Sequence, residues 1–178
     1  MPLEQPSVAG NSPPPTRSST SSPEGGSAIA LLRFDHERIG FLFSDYQQAA
    51  SLDDKRSIVV RIADEWRLHT QLEHEIFYPA AKEALQAFEL VPDFASEHIA
   101  IDALLEALVD AQPGGEAYEA TVRTLGRFIA KHAKDEQGQL FQRAKASGMD
   151  LGALGRRLKQ RKQELLAERA AGVLVAPA

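Results

Sequence analysis

The sequence predicts an all-α protein: an up-down four-helix bundle with a disordered N-terminal tail and one extra helix at the C-terminus. Three observations predict it. Apolar residues recur at three- and four-residue spacing through long segments, the pattern of a helix face turned toward a core. Strand-period alternation is missing from these segments. Cap and turn residues stand where helices should begin and end.

Each element can be justified in order. Residues 1–27 hold six of the ten prolines (positions 2, 6, 13, 14, 15 and 23), seven serines and almost no large apolar side chain. Such a segment cannot bury enough surface to offset its ordering entropy, so it is expected to be disordered. The bundle is expected over residues 28–147. Helix 1 should run from about Ala28 to Ala50, with the stripe Leu32, His36, Ile39, Phe43 and Tyr46. Helix 2 should begin near Ser51, where Ser51 and Asp54 have capping-box spacing with Asp in place of the usual Glu or Gln. Its stripe is Ile58, Ile62, Trp66 or Glu65, His69, Glu73 and Ile76, and Pro79 should kink or end it. Residues 80–92 read as a short helical extension or a connection. Helix 3 should start near Pro92-Asp93 and carry Phe94, His98, Ile101, Leu105 and Leu108. Pro113-Gly114-Gly115 is a turn signal. Helix 4 should span about Glu116 to Ala146, with Tyr118, Val122, Leu125, Ile129, His132, Glu136 and Leu140 on one face. An amphipathic basic helix is expected within 148–171, lined by Leu151, Leu154, Leu158 and Leu165, before a tail at 172–178.

Composition narrows the function. The chain has 178 residues, enough for one domain with a core. Its net charge of −5 argues against a general nucleic-acid binder. Without cysteine, disulfides, iron–sulfur clusters and thiolate zinc sites are excluded. No apolar run approaches the length that spans a bilayer, and the N-terminus lacks a secretory pattern. A cytoplasmic protein with no membrane or nucleic-acid partner is therefore expected.

The chemistry lies in two His-x-x-x-Glu steps, His69 with Glu73 and His132 with Glu136, and in His36 and His98 on the remaining two stripes. Residues four apart project from one helix face, and buried ionisable groups are costly unless paired or bound to metal. His36 lies about 15 residues before the helix 1–2 boundary and His69 about 17 after it, so at 1.5 Å per residue they meet at one depth in an antiparallel pair. His98 and His132 are similarly placed about the Pro-Gly-Gly turn. The helix 2–3 step matches only if helix 2 bends away after Pro79. Four histidines and two carboxylates converging inside a bundle suit iron or a similar transition metal with coordination positions left open, whereas a closed zinc site needs only four ligands.

Other residues have plainer readings beside sharper ones. His74 falls about 100° around the helix from Glu73, at a support or surface position. Glu75 and Glu97 are either solvated or orient ligand histidines. Asp102, one turn after His98, is a candidate extra ligand. Tyr46 and Tyr78 are candidates to approach the centre, with packing the simpler role for Tyr46. The last helix carries Arg156, Arg157, Lys159, Arg161, Lys162 and Arg169 against Glu164 and Glu168. It either docks on the bundle through its leucines or offers a dimer or partner surface.

The run His69-Thr-Gln-Leu-Glu73-His-Glu-Ile-Phe-Tyr-Pro79, the Glu97-His98 pair, and His132-Ala-Lys-Asp-Glu136 followed by Leu140-Phe141 resemble the hemerythrin-like (HHE cation-binding) domain. His36 with Leu42-Phe43 resembles its first-helix motif, and the resemblance covers about residues 30–146. It implies a hemerythrin-like bundle with two non-haem, carboxylate-bridged Fe ions. His36 and His69 would serve one iron, His98 and His132 the other, and Glu73 and Glu136 would bridge. Oxygen-carrying members have a second histidine four residues from the third-helix one. Here Phe94 and Asp102 hold those positions, which places the chain with the four-histidine, two-glutamate branch. That branch implies binding of O2, NO or peroxide in sensing, scavenging or iron handling. The alternatives are a di-iron enzyme that acts on peroxide or nitric oxide or repairs iron–sulfur clusters, and a metal-free helical interaction module. Because histidine ligates when neutral, metal loss is expected as pH falls toward about 5.

Overall fold

A computed structural model describes residues 26–85 and 90–172, and the side chains of 90–93 are not considered. The tail at 1–27, apart from Gly26 and Ser27, and the end at 173–178 lie outside the described residues, as do 86–89 within the expected connection.

The described residues form helices joined by short turns, with no strand. Helix α1 (Ala28–Gln48) is capped by Ser27, whose hydroxyl accepts from the Ala30 N–H. Helix α2 (Leu52–Leu72) is capped by Ser51, which accepts from the Asp54 N–H at 3.0 Å. Each hydroxyl satisfies one of the N–H groups that a helix start leaves free. A π-turn (Glu73–Phe77) continues α2 into α3 (Tyr78–Leu85). Helix α4 is Leu90–Asp110, and α5 is Gly115–Gly138. Gly114 and Gly115, with φ of 108° and 79°, supply the turn between them. Helix α6 (Leu140–Ala146) and helix α7 (Leu151–Ala170) follow, and the Asp150 carboxylate accepts from the Ala153 N–H to start α7.

Two boundaries differ from expectation. Pro79 does not end the helix. The chain widens to a π-turn just before it, with the Tyr78 N–H reaching the Glu73 carbonyl, and π-turns of this kind sit often at functional sites. The expected single helix over 116–146 breaks at Gln139 (φ −111°, ψ −71°), directly after Gly138, the residue type with the most backbone freedom to lose.

Contacts run α1 to α2, α2 to α4, α4 to α5 and α5 back to α1, which closes a four-helix ring. Helix α7 lies outside it against α1, α2 and the π-turn. Two apolar layers fill the molecule. One holds Ile39, Ile62, Trp66, Leu105 and Leu125 near the α4–α5 turn. The other holds Leu32, Leu72, Phe77, Phe141, Leu154 and Leu158 at the end that α7 covers. The leucine face expected of the last helix is thus docked on the bundle. Among the described residues no helix is long and apolar enough to cross a membrane.

Candidate metal centre

The buried polar side chains of the described residues are Asp35, His36, His69, Thr70, Glu73, His98, His132 and Glu136. Thr70 satisfies itself on the Arg67 carbonyl. The rest form one layer between the two apolar ones. His69, Glu73, His132 and Glu136 are 0% exposed, His98 2% and His36 5%.

The rings of His36 (α1) and His69 (α2) are 4.4 Å apart, and those of His98 (α4) and His132 (α5) 4.6 Å apart. This is the pairing that matched depths anticipate. Glu73 reaches toward both sets, with Oε1 3.2 Å from His69 Nε2 and Oε2 3.4 Å from His98 Nε2. Glu136 Oε2 lies 3.5 Å from His36 Nε2. Donor atoms of His36, His69, Glu73, His132 and Glu136 all fall within 4.8 Å of one another; His98 is outside that group, with its Nε2 3.2 Å from His132 Nε2.

These close approaches leave much of the layer unsatisfied. Nε2 of His36 and His69, Oε1 of Glu73 and both oxygens of Glu136 are buried without a hydrogen-bond partner. Native interiors rarely leave so many polar atoms orphaned in one place, and atoms that bind metal at about 2.1 Å necessarily crowd one another. The donor set, two carboxylates among four imidazoles, fits a cation site.

Electrostatics point the same way. Burial pushes His36 down to about 3, and the nearby His132 adds to the shift. Burial also lowers His69, His98 and His132, against the opposing pull of Glu97 on His132. The imidazoles are thus neutral, as ligands must be. Burial raises the Glu73 carboxyl, reinforced by Glu136, and pushes Glu136 up to about 8. Two carboxylates in this dry layer favour either protons or a positive ion.

Supporting residues hold the rings from outside. His98 Nδ1 meets His74 Nε2 at 3.0 Å, His132 Nδ1 meets Glu97 Oε2 at 3.1 Å, and His36 Nδ1 meets Gln137 Nε2 at 3.2 Å. His74 is therefore a support residue, and Glu97 is an orienting one rather than a free acid. Glu75 pairs with Arg161 of α7, which holds its carboxyl below the usual range. Asp102 is not at the centre, because it turns away to accept from Trp66 Nε1 at 2.9 Å. Tyr46 is also elsewhere, donating to Glu119. Tyr78 is at the centre, with its hydroxyl donating to Glu73 Oε2 at 3.1 Å and 3.3 Å from His98 Nε2. Burial keeps this phenol protonated well above its usual value of 10. Trp66, Phe77 and Phe141 are fully buried around the layer.

The model of the hemerythrin HHE cation-binding domain matches residues 27–144, which contain all six candidate ligands. The chain belongs to this family. The family's domain is a cation-binding one, and among the described residues the buried His/Glu cluster is a group that fits a metal ion. A protein described as a DNA nickase, from Nostoc sp. (strain PCC 7120 / SAG 25.82 / UTEX 2576), is 22% identical over 111 residues. The match covers 62% of this chain but 31% of that protein. At that identity and coverage it does not establish nucleic-acid binding here. No solved structure matches the chain.

Proposed function

We propose that this hemerythrin-like protein is a non-haem di-iron protein that binds O2 or a related small ligand, in sensing, scavenging or iron handling. The observation that carries the reading is the two-sided donor set. The His36 and His69 rings pair at 4.4 Å and those of His98 and His132 at 4.6 Å, and Glu73 reaches from one pair to the other. On this reading each histidine pair would hold one iron and Glu73 and Glu136 would be shared between the two. The irons would supply redox-active positions open to a small ligand.

The chain's own residues define the rest of the chemistry. Trp66, Phe77 and Phe141, fully buried around the layer, keep water from it. Glu97, His74 and Gln137 fix the ring planes, which spares reorganisation when a ligand arrives. Tyr78 keeps a proton on its hydroxyl beside Glu73, so it serves as a donor and not as a base.

The Tyr78 hydroxyl, placed to donate a hydrogen bond beside Glu73 and His98, favours a second reading, a di-iron enzyme that acts on peroxide or nitric oxide, because it could steady an oxygen-bearing ligand. Iron content and absorption spectra, before and after exposure to air, test the first reading on protein purified without chelator. About two irons per chain and an air-dependent spectrum are expected. Metal-free protein that cannot be loaded contradicts it and leaves a helical interaction module. Sustained turnover of peroxide or nitric oxide, lost in Tyr78→Phe, would establish the enzyme instead.

A further inference from the structure

We infer that the C-terminal helix is a working part of the metal centre: Lys162 of α7 fixes Asp35, and Asp35 serves as the outer partner that positions His69. The inference rests on the di-iron reading and goes beyond it by adding two positioning residues, one of them outside the matched domain.

His69 is the odd member of the four histidines. The other three each have an outer-nitrogen partner within 3.2 Å. His69 Nδ1 is fully buried and has no hydrogen bond, and the carboxylate it faces is Asp35, with Oδ2 at 4.0 Å. Asp35 is itself 4% exposed, on the turn of α1 that also carries His36. Its other oxygen, Oδ1, accepts from Lys162 Nζ. The carboxylate thus stands between a lysine from α7 and an imidazole in the cluster. Ligand imidazoles ordinarily give their second N–H to a carboxylate, a carbonyl or water, and such partners set ring orientation and metal retention. Lys162 supplies the charge that a buried carboxylate needs and holds it by one oxygen, leaving the other toward His69.

Helix α7 is built to deliver that lysine. Leu154, Leu158 and Leu165 are buried against the bundle. Gly155 lies so close to the start of α1 that a Cβ there would meet the Gly26 carbonyl oxygen at 2.4 Å. Arg161, next to Lys162, grips Glu75 in the π-turn that carries Glu73. Helix α7 therefore contacts both α1, which carries His36, and the π-turn, which carries Glu73.

The test uses the full, iron-loaded chain and the variants Asp35→Asn, Lys162→Met, Lys162→Arg and Leu165→Ala. Three quantities are read: the half-time of iron loss to excess chelator, the near-ultraviolet and visible absorption of the loaded protein, and the thermal midpoint of the metal-free protein. Asp35→Asn and Lys162→Met should release iron about tenfold faster or more and shift the absorption. Lys162→Arg should restore both. Leu165→Ala, which loosens docking without touching the pair, should lower the metal-free midpoint and leave the spectrum unchanged. Wild-type iron retention and spectrum in Asp35→Asn and Lys162→Met would overturn the inference alone. Equal acceleration and spectral shift in Leu165→Ala would also overturn it, by reducing the pair to ordinary docking. A wild-type protein that holds no iron would overturn the di-iron reading and this inference together.

Discussion

Replacing Glu136 by glutamine should act in opposite directions on the metal-free and the metal-loaded protein. The side chain is fully buried, and burial pushes its carboxyl up to about 8 from 4.5. At pH 7 the metal-free fold keeps a proton that the unfolded chain has released. Keeping it costs about 1.4 kcal/mol for each pH unit above 4.5, or about 3 kcal/mol at pH 7. Because the folded value is raised, this contribution is absent below about pH 4.5 and grows as pH rises toward 8. Glutamine has the same shape and no proton to release. Metal-free Glu136→Gln should therefore be more stable than wild type by about 3 kcal/mol at pH 7, a rise in midpoint on the order of 5–10 °C for a chain of this length. The loaded protein should lose stability instead, because an amide is a poor substitute for a carboxylate between two cations. Thermal unfolding of chelator-treated and iron-loaded samples from pH 5 to 8 measures both effects. A metal-free midpoint no higher than wild type across pH 6–8 would refute the electrostatic reasoning, as would an undiminished gain on loading.

Further outcomes follow from the same geometry. Since the histidines are held well below their usual value and the carboxylates above theirs, protons compete with metal first at Glu73 and Glu136. Metal affinity should fall steadily as pH drops below about 8, well before the unperturbed histidine value of ~6.5; competition titrations that show constant affinity between pH 8 and 6 would contradict this. Trp66→Phe removes the donor to Asp102 and part of the wall beside His69, His98 and His132. It should cost about 1–3 kcal/mol in denaturant unfolding. Gly155→Ala should destabilise despite the better helix propensity of alanine, worth ~1 kcal/mol, because its Cβ would press on the Gly26–Ala28 backbone; a higher midpoint in this variant would show that α7 docks more loosely than described.

Much of the site was legible because the helix period separates faces. On a largely apolar stripe a histidine or glutamate stands out, and similar distances from the turns at 49–51 and 111–114 bring His36 to His69 and His98 to His132. The cap at Ser51 was readable for the same local reason. What escaped depends on contacts between distant segments. Asp35 shares the three-and-four spacing of Leu32, Ile39 and Leu42, so a buried charge was present in the pattern, but its partner Lys162 is 127 residues away. His74 projects off the stripe and becomes relevant only because His98 reaches across to it. Tyr78 was legible as a candidate for the centre but its bond to Glu73 was not, because it stands five residues later, off-face in an α-helix, and the π-turn brings the two together. Proline could announce a disturbance at that place but not its form. Gln139 carried no breaker signal beyond the neighbouring glycine.

The most direct measurement is a crystal structure of the iron-loaded chain with an anomalous map recorded at the iron edge. Two peaks are predicted inside the bundle, one between His36 and His69 and one between His98 and His132, with Glu73 and Glu136 touching both. A single peak, or iron bound only at the surface while the buried layer stays empty, would contradict the account.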